Sequence, residues 1–245
     1  MNVLVVYAHH NPSSFTHAIL EHVTRGLDDS AHSYEVSDLN AIGFDPVFTA
    51  RDSMQFLHES YPDDLLEKAD LPHAVVEMAG GPIRRAMARR WVRGKGTREI
   101  ARALYEQVPD DVREQQALVR AADGLIFVAP VFWMGFPAIL KGWFERVFAY
   151  GFAYTLTSEG WQGDLEGRMP LLSQQKALIL TPTFFTEEEY DKGWRDAMDT
   201  VISSWGLQMA GVKDARHVYF HAVVAASDEQ RKAYLDEAYR LGREF

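Results

Sequence analysis

Three short stretches hold the residues that could do chemistry. Residues 8–18, AHHNPSSFTHA, set His9 and two serine hydroxyls ahead of an amphipathic run, and Ser13 or Ser14 can cap the helix that follows. The exposed N–H groups and positive dipole end of such a helix favour a phosphate. The ordinary alternative is that the serines only cap and His9 packs locally. Residues 130–137, PVFWMGFP, are apolar, aromatic and shaped by Gly135 and Pro137. A loop of this kind can lie against a flat ring while its backbone N–H groups bond polar ring edges. Residues 181–190, TPTFFTEEEY, add two phenylalanines and end on Tyr190.

Positioning these loops requires strands and helices in alternation. Val3 to Tyr7 and Leu125 to Ala129 are continuous apolar runs, the pattern of strands covered on both faces. Tyr34–Asp38, Ala177–Thr181 and a strand of which Val218–His221 is at least part complete five strands. Helices are expected from Ser13 or Ser14 to about Leu27, over Pro82–Arg93, Val112–Ala122, Pro137–Val147, Glu187–Trp205 and Asp228–Arg243, with Asp38–Asp52 an irregular crossing segment. The class implied is α/β, a doubly wound parallel sheet with helices on both faces, whose ligands sit at the carboxyl edge of the strands. All three loops fall at that edge. A single domain over residues 1–245 is expected, with a basic helical insertion around residues 80–110.

Composition narrows the function classes. With 245 residues, 47% of them hydrophobic, the chain can bury a full core. A formal charge of -10 argues against an extended nucleic-acid surface, and the absence of cysteine removes disulfides, thiolate metal sites and a cysteine nucleophile. The uncharged run from Gly124 to Leu140 is interrupted by Gly-Phe-Pro and falls short of the roughly 20 apolar residues of a membrane span. The amino terminus reads as a buried strand rather than a secretion signal. No spacing of histidines and carboxylates suggests a metal site, and no Ser-His-Asp arrangement can be assigned. The basic stretch RRAMARRWVRGKGTR at 84–98 is ordinarily a solvated helix face; the sharper alternative is a lid that attracts the phosphates of a cofactor or an anionic substrate.

The segments VLVVYAHHNPSSFTHA, SDLNAIGFDPVFTARD and AADGLIFVAPVFWMGFPAILKGWFERVFAYGFAYT resemble the NAD(P)H:quinone oxidoreductases of the DT-diaphorase type, flavoproteins with a flavodoxin-like fold. The phrase FPAILKGWFERVF carries most of the specificity. Cytoplasmic residence is expected from the lack of cysteine and of a targeting motif; what the resemblance implies is a homodimer binding FAD, with FMN the alternative, and using NAD(P)H as co-substrate. It implies two-electron hydride transfer through flavin N5 to a quinone or similar small conjugated acceptor; the charge balance and the interrupted apolar run, for their part, lead to the expectation of no nucleic-acid partner and no membrane insertion.

By position, His9, Ser14, Phe15, Thr16 and Ala18 match the loop around the flavin ribityl-phosphate chain. Pro130, Val131, Phe132, Trp133 and Met134 match the loop beside the ring, and Thr183, Phe184, Phe185 and Tyr190 the loop facing its N1/O2 edge. Arg231 falls near an arginine that contacts the adenine half of FAD. Tyr154 and Phe136 are expected in the acceptor pocket, Tyr154 from a neighbouring subunit. Tyr190 and Trp133 are the catalytic candidates, Tyr190 as donor to negative charge on the reduced ring.

The sequence also departs from the family. Pro182-Thr183-Phe184-Phe185 stands where relatives often have Thr-Thr-Gly-Gly, Asp196 replaces a histidine, and Phe132 replaces a glutamine. Two other functions therefore stay open. One is a regulatory flavoprotein subunit of a membrane transport system. The other is an enzyme on an aromatic metabolite with altered or lost flavin dependence, its ring site partly filled by Phe184 and Phe185.

Overall fold

The computed structural model describes residues 1–49, 51–52 and 70–245. Five strands form a parallel sheet: β1 (Asn2–Tyr7), β2 (Ser33–Asp38), β3 (Gly124–Val128), β6 (Lys176–Pro182) and β7 (Asp214–Phe220). Their spatial order is β2-β1-β3-β6-β7. The chain steps outward from β1 to β2, then crosses back over β1 to β3, so the order reverses between β1 and β3. Crevices for ligands open at such reversals, outside the carboxyl ends of the strands. A two-stranded antiparallel hairpin, β4 (Tyr154–Leu156) with β5 (Arg168–Pro170), lies apart from the sheet and was not expected from the sequence.

Alternate residues of each central strand enter two cores. Val3, Val5 and Tyr7 pack beneath α1 (Phe15–Asp28) and α9 (Asp228–Arg243). Leu4, Val6 and Ala8 pack with α5 (Asp110–Ala121) and α6 (Ala138–Val147) on the other face. This double burial is why the strands read as unbroken apolar runs. The helices α1 and α9 cross where only glycine fits: a Cβ on Gly26 would lie 2.2 Å from the Tyr239 carbonyl oxygen, and one on Gly242 would lie 2.1 Å from that of Val23.

The segment before β3 is richer than one basic helix. It contains α2 (Leu71–Met78), α3 (Pro82–Val92) and α4 (Thr97–Tyr105), gathered on a small cluster of Leu71, Ile100, Ala101 and Leu104. The single helix expected over 187–205 is also broken. The short α7 (Glu187–Tyr190) stops at a turn through Gly193, whose φ of 112° no helix accommodates. Then α8 (Trp194–Met198) runs on as a π-helical segment, Asp199–Leu207.

Arg146, from the specific phrase noted above, is 3% exposed and ties three elements together. Its Nε donates to Asp52 Oδ1 at 2.7 Å, and Nη1 and Nη2 donate to Asp111 at 2.6 and 3.1 Å. Nη1 also reaches the Asp45 carbonyl, so the guanidinium staples the crossing segment after β2 to α5 and α6. Among the described residues, no helix is long and apolar enough to cross a membrane.

Candidate functional site

Helix α1 opens the site. Ser14 is its N-cap, accepting from the His17 N–H at 3.1 Å. The N–H groups of His17 and Ala18 turn back to the Ser14 carbonyl at 3.0 and 3.2 Å, which leaves those of Phe15 and Thr16 as first-turn donors for an anion. The side chains of these two go elsewhere: Thr16 is 3% exposed, and the Phe15 ring meets Tyr234 edge-on at 6.5 Å. His9 Nδ1 accepts from the Asn11 N–H at 3.0 Å, which puts the proton of the neutral ring on Nε2. Burial, then neighbouring His10, lowers its pKa, so His9 is neutral near pH 7.

The second loop departs from ordinary backbone. Phe132 and Gly135 bond each other, N–H to carbonyl at 2.9 Å and the reverse at 3.3 Å. Between them Trp133 (φ 44°) and Met134 (φ 67°) are both left-handed, the pattern of a type I′ turn built without glycine. Such conformations cost of order 1–3 kcal/mol each in bulky residues and cluster at ligand-binding sites. The turn lifts Trp133 to 98% exposure, with Met134 at 60%. Pro130 is buried, and Val131 packs on Tyr190 and Tyr219. The Phe132 ring lies 6.1 Å from that of His9, so the first two loops meet.

The third loop divides. Phe184 and Phe185 stand out at 69% and 47% exposure, in contact edge-on at 5.3 Å, and do not fill a pocket. Thr183 is buried, its N–H on the Phe220 carbonyl at 2.9 Å and its hydroxyl on that of Phe185 at 2.9 Å. Tyr190, expected to face a ring as a donor, is 1% exposed, stacked on Trp194 at 4.5 Å. Its hydroxyl pairs with Thr183, and burial pushes its pKa up to about 12. The Gly193 turn causes this difference, because it folds α8 back over the phenol.

The edge strand β7 and the residue just past it supply side chains that were not anticipated. His217, Tyr219 and His221 alternate onto one face, rings stacked at 4.0 and 5.7 Å. His221 Nδ1 bonds Thr183 Oγ1 at 3.2 Å, and Arg195 Nη2 reaches its Nε2 at 3.4 Å. Burial, then the charge of Arg195, keeps the His221 pKa low. Tyr219 donates to Asp199 at 2.6 Å, while His217 bonds Thr181 at 2.9 Å and Asp199 at 3.2 Å. His217 is held neutral by burial, which outweighs Asp199. The signal was the period-two spacing in RHVYFHA, of which the expected Val218–His221 was the later part; the strand itself runs Asp214–Phe220.

The remaining candidates lie outside this group. Arg231 commits its guanidinium to the Val223 and Val224 carbonyls at 3.1 and 3.0 Å, so it fastens the loop after β7. Phe136 stacks on Phe144 at 5.7 Å. Tyr154 sits on the hairpin, with Arg168 over its ring at 4.4 Å and Tyr150 edge-on at 5.9 Å.

A family model described as flavodoxin-like fold matches residues 1–241. The chain is 32% identical to NAD(P)H dehydrogenase (quinone) 1 of Cavia porcellus over 206 residues, 84% of this chain and 61% of that protein. It is 30% identical to ribosyldihydronicotinamide dehydrogenase (quinone) of Mus musculus over 238 residues, 95% of this chain and 87% of that one. Among solved structures, an NAD(P)H:quinone oxidoreductase from Methanothermobacter marburgensis superposes with a TM-score of 0.70 at 27% identity, covering 99% of this chain and 98% of the other.

Proposed function

The chain belongs to the flavodoxin-like family whose model matches residues 1–241, and from this we propose a flavin-dependent NAD(P)H oxidoreductase acting on quinones or similar small conjugated acceptors. One observation carries the proposal: the strained turn that exposes Trp133 meets, through Phe132 and His9, the loop leading to the free helix start of α1. A ring site and an anion site are thereby adjacent, and their donors are backbone N–H groups and a neutral histidine. That donor set fits a flavin. The flavin supplies two-electron redox chemistry between NAD(P)H and the acceptor.

The chain's own contribution is binding, orientation and exclusion of water. The N–H groups of Phe15 and Thr16 hold the phosphate, with Ser14 fixing the turn before them. His9 offers Nε2–H to the same anionic end. The N–H groups of Trp133 and Met134 offer donors to a ring edge, and the Trp133 side chain is free to cover it. Tyr190 acts behind the site as a positioning residue: through Thr183 it joins the network of His221 and Arg195. The phosphate and ring donors suit FAD and FMN alike, and with Arg231 held by the Val223 and Val224 carbonyls no described residue is assigned to an adenine half.

The same proposal includes a homodimer. The open groove of about 230 Å³ lined by Phe136, Phe144, Phe148, Val201, Ile202 and Trp205, together with the charged Lys141, Glu145 and Arg168, is a mixed face that a second copy would cover. Cytoplasmic residence fits the absence of cysteine. The test is steady-state turnover of the purified, flavin-loaded protein with NADH or NADPH and a soluble quinone. Parallel double-reciprocal plots, the sign of alternate occupation of one site, are expected. Turnover no faster than that of free flavin would overturn the assignment.

A further inference from the structure

We propose that helix α3 is a docking surface for anionic lipid bilayers. Seven of the 25 basic residues of the chain lie between Arg84 and Arg98, a stretch with no acidic residue. The other 18 are set against all 35 acidic residues. Four of the seven, Arg84, Arg85, Arg89 and Arg90, lie on α3, Arg93 follows its last residue, and Lys95 and Arg98 come next, so a basic patch stands on an otherwise acidic protein. Arg85 is paired with Glu77 at 3.4 Å and Lys95 covers the Trp91 ring at 5.3 Å. Arg84, Arg89, Arg90 and Arg93 are exposed and, among the described residues, have no ion pair.

Charge alone would suit any polyanion; the apolar residues between the arginines decide for lipid. Ile83, Met87 and Trp91, at i, i+4 and i+8 of the helix, do not bury as a unit. Trp91 and Val92 turn inward onto the Leu71–Ile100–Leu104 cluster, whereas Ile83 and Met87 point out, 77% and 67% exposed. No residue of α3 is buried. At 100° per residue, Arg90 flanks this pair on one side and Arg84 on the other. Met78, on α2, adds a further 43% exposed apolar side chain beside the groove that Met87 and Trp91 line. Exposed large aliphatics between arginines whose stems can lie along them match a helix resting in the headgroup layer. A nucleic-acid surface has no use for Ile83 and Met87. With no crossing helix among the described residues, the attachment is peripheral. Its effect is to hold the protein at the phase in which apolar conjugated compounds dissolve.

The test is co-sedimentation of the full chain with vesicles of phosphatidylcholine alone or mixed with phosphatidylglycerol, at low and high salt. It needs neither cofactor nor turnover, so it stands or falls separately from the redox assignment. Partition onto the anionic vesicles at least about tenfold above the neutral ones is expected, falling with salt. Arg84→Gln/Arg89→Gln/Arg90→Gln/Arg93→Gln and Ile83→Ser/Met87→Ser should each lower it about tenfold. Both variants change exposed side chains, and unchanged circular dichroism checks their folding. Equal binding to both vesicle types overturns the proposal. So does unchanged anionic-vesicle binding by Ile83→Ser/Met87→Ser, above all if that variant and the parent bind duplex DNA equally, which would make the face a general polyanion site.

Discussion

Tyr190 and Trp194 stack with ring centroids 4.5 Å apart and planes 6° from parallel, and this pair seals the phenol beneath the candidate site. The closest approach of its hydroxyl to ligand chemistry is through Thr183, which also bonds His221. Tyr190→Phe is expected to lower stability by about 1 kcal/mol, the usual worth of one hydrogen bond. Turnover should change by less than about fivefold, or about 1 kcal/mol at the barrier. Rapid-mixing measurement of the two half-reactions checks this; a hundredfold loss in either would return the phenol to direct catalysis.

The strain at Met134 has a measurable counterpart. Met134→Gly keeps the left-handed backbone at lower cost, so urea denaturation of the ligand-free protein should show a gain of about 1 kcal/mol. The same change loosens the turn, and flavin affinity should fall. A stability loss would show that the Met134 side chain outweighs the backbone strain.

Arg146 holds a buried site against Asp52 and Asp111, and removing one partner strands the other charge. Arg146→Ala should cost about 3–5 kcal/mol in a denaturation experiment. Although burial alone would raise the Asp52 pKa, bonds from Thr49 and Arg146 hold it below the ordinary value. Its contribution is therefore full above the unfolded carboxylate pKa of about 4 and is lost as pH falls below it.

Histidines set a second pH dependence at a higher range. His9, His217 and His221 all have folded-state pKa values lowered chiefly by burial. The unfolded chain therefore binds protons first. Stability is full above about pH 6.5 and declines as pH drops below it. Thermal melts at pH 7.5 and 5.5 should show a fall in Tm, and His217→Gln, which keeps hydrogen-bonding capacity without the charge, should shrink it. A fall of the same size in the variant would place the effect elsewhere.

The three central strands were legible because double burial writes itself as unbroken apolar runs, as in Val3–Tyr7, whereas the half-exposed edge strands β2 and β7 carry charged and polar residues and showed less clearly. The loops at the carboxyl edge followed from that. What the sequence did not show was orientation. Nothing in TFFTEEEYDKGW tells that Gly193 turns the chain and buries Tyr190 while Phe184 and Phe185 stay outside. Likewise, the i, i+4, i+8 spacing of Ile83, Met87 and Trp91 fits a helix but does not tell which of the three faces inward, a choice made by packing on Ile100 and Leu104. The His217–Tyr219–His221 column was visible in principle, as alternate residues along β7 and one position past its end.

Titration of the purified, flavin-stripped protein with FAD and with FMN, followed by visible absorption and tryptophan fluorescence, tests the redox assignment most directly. Saturable binding near one flavin per chain, with Trp133→Ala weakening it at least about tenfold, is the predicted result. A protein that stays colourless at saturating concentrations of both flavins would contradict it.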